Sequence, residues 1–154
     1  MTEAEIQEFL KASRVVTLAT NGPSGYPHQV AMWYSIVDGQ VCIETHPKSQ
    51  KAVNLRRDPK LSISVEAGDS YELLRGVAID GIARIIDDTT DPTYWAAAIN
   101  KFERYTAPYN EEMRPVVEYM MNKRIVVVVE PLRIRSWDHR KLGIDTEPAS
   151  APTH

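Results

Sequence analysis

Gln40-Val41-Cys42-Ile43-Glu44-Thr45-His46-Pro47-Lys48-Ser49-Gln50-Lys51-Ala52-Val53-Asn54-Leu55-Arg56-Arg57-Asp58-Pro59 contains one change of period on which the fold turns. Residues 40–45 carry strand chemistry, with Ile43 and Thr45 on one face and Glu44 on the other. Ser49 is a helix-capping residue type, and 49–57 reads as a short helix. Asp58-Pro59 ends it, because the residue before a proline is driven out of the helical region. A strand therefore runs through a tight turn into a helix whose first N–H groups face the end of the strand.

Upstream, 14–20, 28–36 and 40–45 are β-rich. They are separated by Asn21-Gly22-Pro23-Ser24-Gly25 and by Val37-Asp38-Gly39, so they predict a three-strand antiparallel meander. Strand 28–36 carries apolar groups on both faces, with Val30, Met32, Tyr34 and Ile36 on one and Ala31 and Trp33 on the other. Neither face is built for water alone. Thr2 and Glu5 have capping-box spacing ahead of Ile6, Phe9 and Leu10, which predicts a helix over 3–12 that acts as a lid.

Downstream, Leu61, Ile63 and Val65 alternate with Ser62, Ser64 and Glu66, giving a strand with one wet face. A long strand is expected over 74–86, bending or bulging at Gly76 and Gly81. Asp91-Pro92 starts a helical region through Met121 that breaks near Thr106-Ala107-Pro108, giving two helices. Ile125-Val126-Val127-Val128-Val129 predicts a last strand covered on both faces. The expected fold is mainly β with appended helices: a six-stranded antiparallel split β-barrel over 1–145, followed by a disordered tail over 146–154.

The chain has 154 residues, 43% of them hydrophobic, enough for one domain with a core and too few for a second catalytic domain. A net charge of -3 provides no global basic field for nucleic acid. The acidic start and the lack of any long apolar run predict neither a signal peptide nor a membrane span. The single Cys42 excludes an internal disulfide, so a cytoplasmic protein is expected. His28, His46, His139 and His154 lack metal-ligand spacing, and neither a Gly-x-Ser-x-Gly elbow nor a Walker or Rossmann glycine pattern occurs.

Against that acidic background, Lys48, Lys51, Arg56 and Arg57 form the densest basic cluster. They sit where a helix dipole and free N–H groups favour an anion, with Ser49 as cap and the Thr45 hydroxyl nearby. That is phosphate-site chemistry, and it is equally the composition of a solvated helix face. Asn54 reads either as a local backbone partner or as a ligand group, and Glu44 as a solvent-facing carboxylate or a general acid. Trp33, Trp95 and Trp137 suit core packing first and ring stacking second.

Several segments together resemble the pyridoxamine-phosphate-oxidase-like split-barrel superfamily. They are Val15 with Thr17-Leu18-Ala19-Thr20, Gly25-Tyr26-Pro27-His28, Trp33-Tyr34, Glu44-Thr45, Lys48 to Asn54 and Arg56-Arg57-Asp58-Pro59. Lys51 to Pro59, Gly76-Val77-Ala78, Asn122-Lys123-Arg124 and Ser136 to Gly143 further resemble actinobacterial deazaflavin (F420)-dependent oxidoreductases of the B group. The resemblance implies a homodimer with cofactor sites at the subunit interface. Ser49 and Lys51 would hold the phosphate, with Lys48, Gln50, Thr45 and Glu44 beside it and Asn54 supporting the loop. It also implies His28 and Ala31 beside the ring system and Tyr71 reaching it from the partner subunit, where it is a candidate proton donor. The implied activity is hydride transfer between reduced F420 and an unsaturated or quinone-like small-molecule acceptor. Flavin mononucleotide (FMN) in an oxidase or reductase of the same fold, and a non-catalytic carrier of cofactor or hydrophobic ligand, are the alternatives.

Overall fold

The computed structural model describes residues 1–143, so the tail expected over 146–154 lies outside the described residues. The strands are β1 (Val16–Asn21), β2 (Pro27–Met32), β3 (Ser35–Val37), β4 (Gln40–Thr45), β5 (Lys60–Ala67), β6 (Arg75–Ile86) and β7 (Ile125–Asp138). The helices are α1 (Glu3–Ala12), α2 (Gln50–Arg57), α3 (Pro92–Tyr105) and α4 (Arg114–Met120). One antiparallel sheet holds all seven strands in the order β2-β1-β5-β6-β7-β4-β3.

Seven strands replace the expected six because the segment 28–36 is broken at Trp33-Tyr34. The pieces β2 and β3 lie at opposite ends of the sheet order. The three Cα–Cα steps from Met32 to Ser35 span at most about 11 Å, so the sheet must curl until its first and last strands approach. The result is a curled half-barrel. Side chains of other elements occupy the backbone of Tyr34 at the break: its N–H donates to Tyr105 Oη at 3.0 Å, and its carbonyl accepts from Arg104 Nε at 3.0 Å. Arg104 also donates to the carbonyls of Lys11 and Ser13, at 2.9 and 2.6 Å, closing the C-terminal end of α1.

Caps and turns fix the ends of the other elements. Thr2 and Glu5 form the reciprocal capping box of α1. Asp38 and Gly39 both have positive φ, at 50° and 78°, giving the two-residue turn whose twist suits the hairpin β3–β4. Gly81 sits at the register shift between β6 and β7, and a Cβ there would lie 2.5 Å from the Glu130 carbonyl oxygen. Gly76 pairs in register with Trp137, whose indole occupies the space a side chain would need. The last strand runs on past Val129 to Asp138, carrying Pro131 at the bulge, where a missing N–H is tolerated. The second helix begins only at Arg114, after a 3-10 turn over Glu111–Met113.

Two cores follow from the pairing. Val16, Leu18, Ile43, Ile63, Val65 and Val77 fill the barrel interior, and Leu10 of α1 closes one end of it. On the other side of β4 and β7, Cys42, Val126 and Val128 pack under Tyr94, Ala98 and Phe102 of α3 and Val117 of α4. Residues 125–129 are therefore buried on both faces, as their unbroken β-branched run requires. Among the described residues no helix covers the outer face of β1, β2, β5 and β6. Its register rows are Ala31-Thr17-Ser64-Ala78 and Gln29-Ala19-Ser62-Asp80, mostly small side chains.

Candidate cofactor site

The turn between β4 and α2 brings the basic cluster against the end of the barrel. Ser49 caps α2, its Oγ accepting from the Ala52 N–H at 3.3 Å and lying 3.1 Å from Thr45 Oγ1. The N–H groups of Gln50 and Lys51 precede the first carbonyl that the helix can offer them, so they stay open to an anion. Lys51 is half-buried; desolvation, and secondly the Arg124 cation, hold its ammonium below the ordinary lysine range. Among the described residues neither Lys51 nor Arg124 has a carboxylate partner. Two neighbouring cations without a counterion, at a helix N-terminus, favour an anion from outside the chain.

Beneath the turn lies a buried polar network. Asn54 is fully buried; its Nδ2 donates to Thr20 Oγ1 at 3.0 Å, and its Oδ1 accepts from Gln50 Nε2 at 2.7 Å. Asn54 thus bonds two side chains and ties α2 to the end of β1. His28 lies directly opposite Thr20 in the β1–β2 pairing, so both side chains share one face. Its Nδ1 is buried without a hydrogen-bond partner, an open position beside this network.

Other expected site residues lie elsewhere. Ala31, three positions from His28 on the same strand, is on the opposite, exposed face of β2. Lys48 is exposed, its N–H bonded to His46 Nδ1 at 3.2 Å. Glu44 is not a solvent-facing carboxylate: it is 2% exposed, sealed under α3 on the face of β4 away from Thr45. Ser35 Oγ donates to its Oε1 at 3.1 Å, and Lys101 Nζ stands 3.1 Å from Oε2. The Lys101 contact is an ion pair without good hydrogen-bond alignment, since Oε2 has no aligned donor. Desolvation pushes the Glu44 carboxyl up, against the opposing pull of Lys101.

Tyr71 is exposed, its ring 4.6 Å from that of His139. It stands near Arg75, the start of β6, whereas Ile86 at the other end lies by the β4–β7 pairing next to Thr45. Roughly 35 Å of strand separates those ends, so one chain does not bring Tyr71 to Ser49 and Lys51. Trp33 is exposed rather than in a core, and it stacks on Tyr105 at 4.4 Å with the rings within 4° of parallel. Two contributors lie in segments that carry the family resemblance without being expected in the site. Thr20 is the inward polar position after Val16 and Leu18, detectable by period two; Arg124 lies far along the chain and only the fold delivers it.

The family model for pyridoxamine 5'-phosphate oxidase matches residues 2–138. The chain belongs to the pyridoxamine 5'-phosphate oxidase family. The chain is 49% identical to the conserved hypothetical protein Rv2991 of Mycobacterium tuberculosis, covering 98% of this chain and 93% of that one, with a TM-score of 0.91. It is 25% identical to an F420 reductase, covering 84% and 94% of the two chains, with a TM-score of 0.60. It shares its fold with HutZ, the heme storage protein of Vibrio cholerae, at 16% identity and a TM-score of 0.68, covering 88% and 93%. No curated protein matches the chain. Among the described residues no helix is long and apolar enough to cross a membrane.

Proposed function

We propose that this family member is an oxidoreductase that binds coenzyme F420 and acts on an unsaturated or quinone-like small molecule. The observation that carries the reading is the anion cradle of Ser49, the Gln50 and Lys51 N–H groups, Lys51 and Arg124, whose cations have no acid partner among the described residues. The similarity to an F420 reductase supports the choice of cofactor. The orphan Nδ1 of His28 supplies a polar position for the ring system on the same face as Thr20.

When bound, the deazaflavin supplies hydride chemistry, so no nucleophilic side chain is needed. Ser49 and Lys51 hold its phosphate, Thr45 stands beside them, and the Asn54 network fixes the turn against β1. Met32 at the end of β2 and Trp33 just past it exclude water, and Tyr71 Oη donates or holds a proton from a partner subunit. The uncovered outer face of β1, β2, β5 and β6, lined with small side chains, suits close packing against a second copy. That copy would supply Tyr71 to the site.

Titration of the purified protein with F420 and with FMN tests the reading. Saturable F420 binding, weaker FMN binding and turnover with a quinone acceptor are expected. FMN binding as tight as F420 binding would overturn the cofactor choice, and F420 binding without turnover across an acceptor panel would identify a carrier.

A further inference from the structure

A cavity of about 800 Å³ opens between Pro47, the N-terminal end of α3 and the loop joining α4 to β7. Its walls combine apolar surface, from Trp95, Met121 and Ile125, with the cations Arg56, Arg114, Lys123 and Arg124. The size and the mixed lining are those of a small-molecule site.

The charges do not cancel within the cavity. Asp87 pairs with Arg56 at 3.6 Å and Glu118 with Arg114 at 3.0 Å. Asp91 accepts from the Thr93 N–H at 2.8 Å and so serves as the cap of α3. These three are the acids of the wall, and each is engaged. Lys123 and Arg124 are left without a carboxylate partner among the described residues. Arg114 also lies over the Trp95 ring, 5.0 Å from its centroid, which fixes that aromatic wall.

Lys123 adds an independent observation. Its φ is 55°, in the left-handed region just past the end of α4, where glycine is the residue that costs least. A lysine there is strained, and its exposed side chain makes no hydrogen bond or ion pair within the described chain that would compensate. Strain of this kind at the rim of a cavity is expected where the side chain serves a ligand.

We propose that this cavity binds a small organic anion with a planar apolar body, its carboxylate held by Lys123 and Arg124 and its body against Trp95 and Met121. The site shares Arg124 with the cradle at Ser49 and Lys51, whereas Lys123, Trp95 and Met121 belong to the cavity and not to that cradle. Calorimetric titration with indole-3-acetate, and with its uncharged counterpart indole-3-acetamide, tests it in the full chain and in Lys51→Met. Saturable binding of the acetate by both proteins is expected, weaker by about tenfold or more for the acetamide, as loss of a charge-assisted contact requires. Lys123→Gly removes the cation while relieving the left-handed strain, so it should lower acetate affinity to a similar degree with a melting temperature unchanged or raised. No saturable binding, equal binding of the two probes, or an unaltered affinity in Lys123→Gly would each overturn the proposal. Loss of binding in Lys51→Met would place the probe at the turn before α2 instead, and so overturn it as well.

Discussion

Replacing Lys51 with methionine keeps the aliphatic stem and deletes only the ammonium, so it isolates the charge at the anion cradle. A charge-assisted hydrogen bond to phosphate contributes about 1.5–3 kcal/mol, which corresponds to a roughly 10- to 150-fold rise in the Kd for F420. The same substitution should not weaken the empty protein. Desolvation, then Arg124, hold the lysine below its ordinary range, so the fold disfavours the charged form. That penalty is fully present at pH values below the lowered pKa and vanishes only as pH rises past the unfolded-state value. At neutral pH methionine removes it, so the melting temperature stays the same or rises. Isothermal titration gives the Kd and differential scanning calorimetry the melting temperature. Repeating the titration at higher salt should show a shallower salt dependence in the variant, because one screened contact is gone. A Kd within twofold of the parent would refute the phosphate assignment. A clear fall in melting temperature would make Lys51 structural rather than ligand-binding.

Asn54→Ala strands Thr20 Oγ1 and unties α2 from β1, and urea denaturation should show a loss of about 1–3 kcal/mol. Glu44→Gln tests the carboxylate under α3. An acid raised in the folded state contributes most when protonated, so the parent should lose stability as pH rises from the ordinary carboxylate range through the raised value, while the glutamine variant stays flat there. Melting curves across that interval check the sign. Gly81→Val, which would drive a side chain onto the Glu130 carbonyl, should cost stability through the β6–β7 register, readable as faster amide exchange along β7. Sedimentation should find a dimer, and Ala78→Arg, on the uncovered face, should shift it toward monomer.

The elements that local chemistry dictates were legible in the sequence. Thr2 with Glu5, Ser49 before α2, Asp38-Gly39 and the alternation of Leu61, Ile63 and Val65 each depend on neighbours a few residues away. What lay hidden was set by distant partners. Nothing in residues 28–36 shows that Tyr105 and Arg104, some 70 positions later, claim the backbone of Tyr34 and split one strand into two. Glu44 alternates like a surface residue, and only the arrival of Lys101 and Tyr94 on α3 buries it. The run through Val129 has a visible β-branched core, but the remainder of β7 contains Pro131 and charged residues. Its pairing with β6 makes it a strand.

The convergence of unpaired cations from two distant segments gives the candidate site more weight than the basic cluster alone. The chain carries 18 basic against 21 acidic residues, so acids are not scarce. Arg84, Arg114, Arg135, Arg140 and Lys141 each find one within 3.0 Å. Eleven basic residues find none among the described residues, and four of those eleven, Lys48, Lys51, Lys123 and Arg124, form one group. All four lie in the turn before α2 or in the loop before β7, and the pairing of Thr45 with Ile125 brings those two segments to one end of the sheet. Solvated lysines on a helix face would not require that convergence, nor would they lower one another's affinity for protons as Arg124 does to Lys51. The fold therefore holds mutually repelling charges together at one end of the sheet. A bound anion attracts both cations and so offsets that repulsion, drawing its stabilisation from more than one contact. Phosphate-bearing ligands should then raise the melting temperature of the parent more than that of Lys51→Met or of Arg124→Met, and an equal rise in either variant would show that its cation does not hold the anion.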